Sequence, residues 1–206
     1  MGKKYELTNK TIVNADGHTL HRIRSLAMSI SIRNFSLAVA PGDLGGFIES
    51  EDNLSHEGDC WVFDEAQVYG NARMSGDAWA DGMARVFENA HAFGRSRVTE
   101  HACVFGNAQI YGNTWVDMSS HVFGNAHVSG RSRIFGNARV YGNAYVGGYI
   151  NIGEYTHVQG DAYIDGNIYA YIGGNTMLDH GIWTQGIKID GNMYLISSTL
   201  EKLLVE

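Results

Sequence analysis

Two copies of one basic motif, Gly94-Arg95-Ser96-Arg97-Val98 and Gly130-Arg131-Ser132-Arg133-Ile134, recur along the chain, with Asn113-Thr114-Trp115-Val116 midway between them. A guanidinium group is planar and stays charged. It fits a phosphate through paired N–H groups, and its face stacks on an aromatic ring. Arg95, Arg97, Arg131 and Arg133 around Trp115 are therefore candidates for an anionic-ligand site, the arginines taking phosphates and the indole stacking on a base. Trp79 and Trp61, lower in the same spacing, extend the platform. Between residues 48 and 170 there is no lysine, and the basic residues are all arginine. The competing account is a surface Arg–Trp–Arg stack, at about 0.5–1 kcal/mol per contact. Both stay open on sequence alone.

These residues ride on a sixfold beat. From Val62 to Ile164 every sixth residue is apolar, and 15 of these 18 positions are Val or Ile. A row two residues earlier, from Cys60 and Ala66 to Ala162, is mostly Ala, Ser or Thr. A row two residues later, from Gly58 to Gly166, is Gly at 14 of 19 positions. Residues i and i+2 of a strand share a side, so the Ala and Val rows face inward and the residue between them faces out. Gly followed by Asn or Asp supplies the left-handed backbone of a corner. Three strands and three corners, one of each per hexad, close a coil, and coils stack through parallel ladders. The two arginine motifs lie six hexads apart, which is two whole coils. The fold expected is all-β, a single-stranded parallel β-helix of roughly seven coils and about 33 Å, at ~4.8 Å per coil.

The unit, undiluted in Asn107-Ala108-Gln109-Ile110-Tyr111-Gly112 and Asn137-Ala138-Arg139-Val140-Tyr141-Gly142, resembles the hexapeptide-repeat left-handed β-helix proteins over residues 48–170. The small residue four places after the aliphatic, as in Val68 and Ala72, matches that family. The aromatic directly after it, as in Val68-Tyr69-Gly70, departs from the family's usual Gly. This variant, with Gly42-Asp43-Leu44-Gly45-Gly46-Phe47-Ile48-Glu49, resembles a group of phage and prophage hexapeptide proteins. The resemblance implies left-handed coils and a homo-oligomer, a trimer being favoured. For a phage protein it implies a sponge that sequesters a nucleotide-like host defence signal. It also implies alternatives, a hexapeptide acyltransferase with a His base, a zinc carbonic anhydrase, or a structural phage spacer.

With three hexads per coil, the outward residues form vertical rows. One face reads Trp61, Trp79, Arg97, Trp115, Arg133, Asn151, Tyr169. A second reads Ser55, Arg73, His91, Gln109, His127, Tyr145, Tyr163, and the third Glu49, Gln67, Arg85, Cys103, His121, Arg139, His157. At one corner Tyr69, Phe87, Phe105, Phe123 and Tyr141 recur on successive coils. They suit either an internal stack or a subunit interface. His91 and His127 lie two coils apart, as do His121 and His157. At about 10 Å neither pair shares one zinc ion within a subunit, given Zn–N bonds of ~2.0–2.1 Å. No loop leaves the prism to carry catalytic groups. A non-catalytic binding protein without cofactor or metal is the expectation, with turnover left open.

Residues 1–47 fall outside the phase and read as an N-terminal β cap, with a hairpin of Tyr5–Val13 and Thr19–Arg24 around Asn14-Ala15-Asp16-Gly17. Residues 171–206 read as a second cap, with a hairpin around Asp190-Gly191-Asn192 and a short helix over Ser198–Val205. The net charge of −7 argues against binding of a nucleic-acid duplex. An acidic rod imitating DNA is disfavoured because arginines interrupt the acids. No apolar run approaches the length of a membrane span and no signal peptide is evident, so a cytoplasmic, non-membrane protein is expected. Cys60 falls on an inward position and Cys103 on an outward one, which argues against a mutual disulfide. Two cysteines exclude a zinc-finger site.

Overall fold

The computed structural model describes residues 2–26, 30–32, 37–183, 188–189 and 194–195. Its centre is a parallel β-solenoid of about seven turns. Two-residue strands stack one coil above another on three faces, as in Arg97↔Trp115↔Arg133, His91↔Gln109↔His127 and Cys103↔His121↔Arg139. The aliphatic and small rows fill the interior, from Val68, Val86 and Val104 to Ala72, Ala90 and Ala108, all fully buried. Where the small position is Thr or Ser, the hydroxyl can bond back three residues. Thr114 Oγ1 donates to the Tyr111 carbonyl (2.6 Å) and Ser120 Oγ to that of Asp117 (2.7 Å). At Thr114 and Ser120 the corner supplies the acceptor that a buried hydroxyl needs.

The corners impose left-handed backbone whatever residue occupies them. Asp64, Glu88, Glu100, Met118 and Glu154 are non-glycine residues of the glycine row, and all have φ between 49° and 60°. Such a conformation costs a non-glycine residue about 1–2 kcal/mol. Acids offset part of that cost. Their carboxylates reach the backbone N–H in the coil above, Glu88 to Gly106 (2.9 Å) and Glu154 to Gly174 (2.6 Å), which the ladder leaves without an acceptor.

In the N-terminal module, β1 (Tyr5–Val13) and β2 (Thr19–Ser25) pair antiparallel. β3 (Ile30–Ile32) and β4 (Leu37–Val39) form their own two-stranded sheet, and β5 (Leu44–Ile48) joins β2 to the solenoid face at Gln67–Val68. Neighbouring coils are tied by backbone bonds, as in Cys60 N–H to the Gly76 carbonyl (2.8 Å). The first coil has no coil below it to donate to its carbonyls, and side chains replace those donors. Lys4 Nζ donates to the carbonyls of Gly58 (3.2 Å) and Cys60 (2.8 Å), and Tyr5 Oη to that of Leu54 (2.7 Å). A lysine and a tyrosine thus stand in for a missing coil.

The upper end departs from the sequence reading. Where the repeat was expected to end near Ala170, the phase shifts between Gly166 and Ala170 and the solenoid continues. Asn151 pairs with Tyr171, not Tyr169, and His157 pairs with Met177, so these turns are two residues longer. At the lower end Phe47, not Glu49, lies against Gln67. Strands Lys188–Ile189 and Tyr194–Leu195 pair parallel to Tyr171–Ile172 and Met177–Leu178, on different sheets. They are successive solenoid strands and not the arms of a hairpin. The helix expected over Ser198–Val205 lies outside the described residues. Among the described residues no helix is long and apolar enough to cross a membrane.

Candidate functional site

The arginine–tryptophan face is a ladder whose lower half is closed. Trp61 is fully buried, with Tyr5 edge-on at 6.3 Å, and Trp79 is 5% exposed, with Phe63 edge-on at 6.0 Å. The platform expected to run down through Trp79 and Trp61 is therefore covered. The upper half, Arg97, Trp115 and Arg133, is half-buried and faces solvent. Arg97 lies 5.8 Å from the Trp115 ring centre and 5.6 Å from that of Trp79. Arg133 lies 4.4 Å from Trp115 and 5.0 Å from Phe135. One guanidinium comes from the coil below Trp115 and one from the coil above, so both faces of the indole are occupied.

Arg95 and Arg131 do not join this stack. They are exposed on the adjoining corner, Arg95 Nε 3.7 Å from Asp77 Oδ2 and Arg131 5.5 Å from the Tyr149 ring. Of the four arginines expected around Trp115, two flank it. The inward serines of the duplicated motif, Ser96 and Ser132, are buried, and neither Oγ has a partner.

Lateral bonds hold the face. The Trp115 Nε1–H donates to Thr99 Oγ1 (2.9 Å), and Arg133 donates through Nε (3.0 Å) and Nη2 to Asp117 Oδ2. The Asp117 side chain is 1% exposed and its Oδ1 is buried without a partner. Burial pushes its carboxyl above the usual range, and Arg133 partly offsets this. Sequence reasoning missed Thr99 and Asp117, yet a signal existed. Each of these outward side chains reaches the residue sixteen positions earlier, at the corner of the coil below. The relation recurs in Ser75 with His91 (3.1 Å), Ser129 with Tyr145 (3.0 Å) and Tyr141 with His157 (3.4 Å).

That recurrence bears on catalysis. Ser75 Oγ and His91 Nε2 look like a nucleophile and its base, but the same contact joins Thr to Trp and Asp to Arg. It is a packing relation of the coil. His91, His121 and His157 all titrate below the ordinary histidine value, chiefly through burial, with Arg73 adding for the first and Arg139 for the others. Gln109 separates His91 from His127, and Arg139 separates His121 from His157. Among the described residues no three His, Cys, Asp or Glu side chains converge as metal ligands.

At the aromatic corner, Tyr69, Phe87, Phe105, Phe123 and Tyr141 stack face to face, with centroids 4.7–5.1 Å apart and planes within 7°. Tyr69 is buried under the N-terminal module, its Oη donating to Asp16 Oδ2 (2.6 Å), and the other four rings are half-buried. Beside them runs an exposed amide ladder absent from the sequence reading. Asn71, Asn89, Asn107, Asn125 and Asn143 each donate from Nδ2 to the residue one coil up, at 2.9–3.0 Å, ending on Asp161. Its signal was Asn at the same corner of five successive coils. Cys60 and Cys103 are free and both buried.

No curated protein matches the chain. A protein-family model described as the YdcK beta solenoid repeat matches residues 66–82 and 132–148, two stretches that each begin on an inward small residue, Ala66 and Ser132, so that the chain carries a β-solenoid repeat similar to that family's.

Proposed function

We propose that the protein is a non-catalytic binding scaffold whose arginine–tryptophan face takes a small phosphate-bearing, nucleotide-like ligand. The observation that carries this reading is the flanking of Trp115 by Arg97 and Arg133, on strands two coils apart in one ladder. With both indole faces covered, the phosphate contacts are edge-on, through guanidinium N–H groups, with Arg95 and Arg131 at the adjoining corner. A base stacks on Trp115 by displacing Arg97, the more distant cation at 5.8 Å. Sequestration of a phage type is the role that fits such a scaffold. Mass spectrometry of small molecules released by heating the purified protein identifies the ligand. Calorimetry with linear and cyclic nucleotides then compares native protein with Arg97→Lys/Arg133→Lys, where affinity should fall about tenfold. Binding indifferent to both arginines leaves only a surface stack. Turnover of the ligand supports an enzyme reading instead.

A second proposal concerns assembly. The half-buried rings of Phe87, Phe105, Phe123 and Tyr141 form one apolar edge, which suits contact with further copies of the chain in a trimer. Light scattering on a chromatographic peak is the test. A monomer at micromolar concentration removes the proposal and leaves the edge as internal packing.

A further inference from the structure

The N-terminal sheet contains a cavity unrelated to the arginine–tryptophan face. β1 pairs with β2 at Leu7↔Ile23 and again at Thr11↔His21, so Thr8, Asn9 and Lys10 stand opposite Arg22 alone. Such a bulge bends its strand and re-aims side chains. It opens a cavity of about 550 Å³ on β1, β2 and β5, lined by Glu6, Leu7, Lys10, Arg22, Arg24 and Leu44 among others. That volume lies within the ordinary range for small-molecule sites.

The lining inverts the charge of the protein. The chain as a whole carries −7, whereas three cations and a single carboxylate line this cavity. Arg22 is the built part. Its side chain is 13% exposed, its guanidinium stacks on Phe47 at 4.9 Å, and its Nη1 donates to Glu65 Oε1 (2.7 Å). Its Nε is buried and has no partner. That Nε is shielded from the cavity, but a guanidinium has five donors and only Nη1 is given to Glu65, so the Nη groups keep N–H donors for an anion. Arg24 pairs with Glu6 at 3.3 Å, an exposed contact that a second anion can exchange with at little expense. Leu44, 53% exposed and paired with Arg24 across β2 and β5, adds an apolar wall.

We infer that this cavity is a binding site for a small organic carboxylate with a short alkyl portion. The carboxylate meets the Arg22, Arg24 and Lys10 side chains, and the alkyl chain lies against Leu44. This site is independent of the arginine–tryptophan face, and the two fail separately.

The test titrates the full chain with straight-chain carboxylates from acetate to hexanoate, and with inorganic phosphate, followed by calorimetry and backbone amide shifts. Saturable binding that tightens with chain length, with shifts confined to β1, β2 and β5, is expected. Lys10→Gln/Arg24→Gln, which changes exposed side chains and spares Arg22 on Phe47, should weaken it about tenfold. Arg97→Lys/Arg133→Lys should leave it unchanged. The inference is overturned by absence of saturation, by phosphate binding as tightly as hexanoate, or by a Lys10/Arg24 variant that binds like the native protein. Loss of binding in the Arg97/Arg133 variant also overturns it, because the ligand then sits on the other face.

Discussion

The aromatic corner and the arginine–tryptophan face are built by the same coil-to-coil recurrence, yet they end in opposite conditions. At the corner like stacks on like: every interior ring has a ring on both faces, and every interior Asn gives and takes an amide bond. The ladder satisfies itself and presents ring edges to solvent. On the face, unlike groups alternate, and lateral bonds to Thr99 and Asp117 fix Trp115 and Arg133. A guanidinium has five donors, so Arg133 keeps N–H groups beyond those given to Asp117. Homotypic ladders consume their interactions within the fold, whereas alternating ones leave some available to a ligand.

The largest effect comes from the floor common to both regions. Val116→Asp places a carboxylate in the fully buried aliphatic row, with no partner for its charge. Corner and face should be lost in one cooperative transition, because each coil is stable only between its neighbours. Two separate melting steps, followed by near-ultraviolet circular dichroism, would break the claim that the regions are one stack.

The next test sharpens the contrast. Phe105→Ala removes two stacked faces, at about 0.5–1.5 kcal/mol each, while Trp115→Ala removes two cation–π contacts at about 0.5–1 kcal/mol each. Denaturant unfolding should therefore show the greater loss for Phe105, and nucleotide titration the greater loss for Trp115. If Trp115→Ala costs more stability and leaves binding unchanged, the face is as structural as the corner.

A smaller effect is expected from Asn107→Ala, which interrupts the amide ladder. Exposed amides exchange protein partners for water, so the loss should be about 1 kcal/mol or less by urea titration. A loss several times larger would make the amides, and not the rings, the main device at that corner.

Smallest is the pH dependence. His91, His121 and His157 titrate below the ordinary value of about 6.5, so the folded state favours their neutral forms. Their contribution is fully present above the unfolded value and is lost as pH falls through the folded values. Asp81 and Asp117, raised by burial, act in the opposite sense in more acidic solution. The melting temperature should decline as pH falls through the histidine range, and less so in a triple His→Gln variant. An unchanged slope in that variant would assign the decline to other groups.

The sixfold beat made the inward rows, the corner positions and, away from the two ends, the membership of each face legible, because the strand alternation and the coil repeat are geometric consequences of the fold. The strain at Glu88 and Glu154 had a signal too, since each interrupts the glycine row, but the sequence reading did not name it. The covering of Trp61 was not legible. It depends on Tyr5, which no period relates to it. Nor was the continuation past Ala170, because a turn two residues longer erases the phase while preserving the ladder.

The sequence by itself determined that this chain closes into stacked triangular coils, since that arrangement buries Val and Ala in every hexad and places left-handed corners between them. Tertiary structure alone decided which outward residues remain available. Outwardness is a property of one strand, whereas exposure depends on what the rest of the chain lays over it. Tyr5 covers Trp61, the indole of Trp115 is sandwiched by two arginines, and a bulge in β1 opens a cavity beside Arg22.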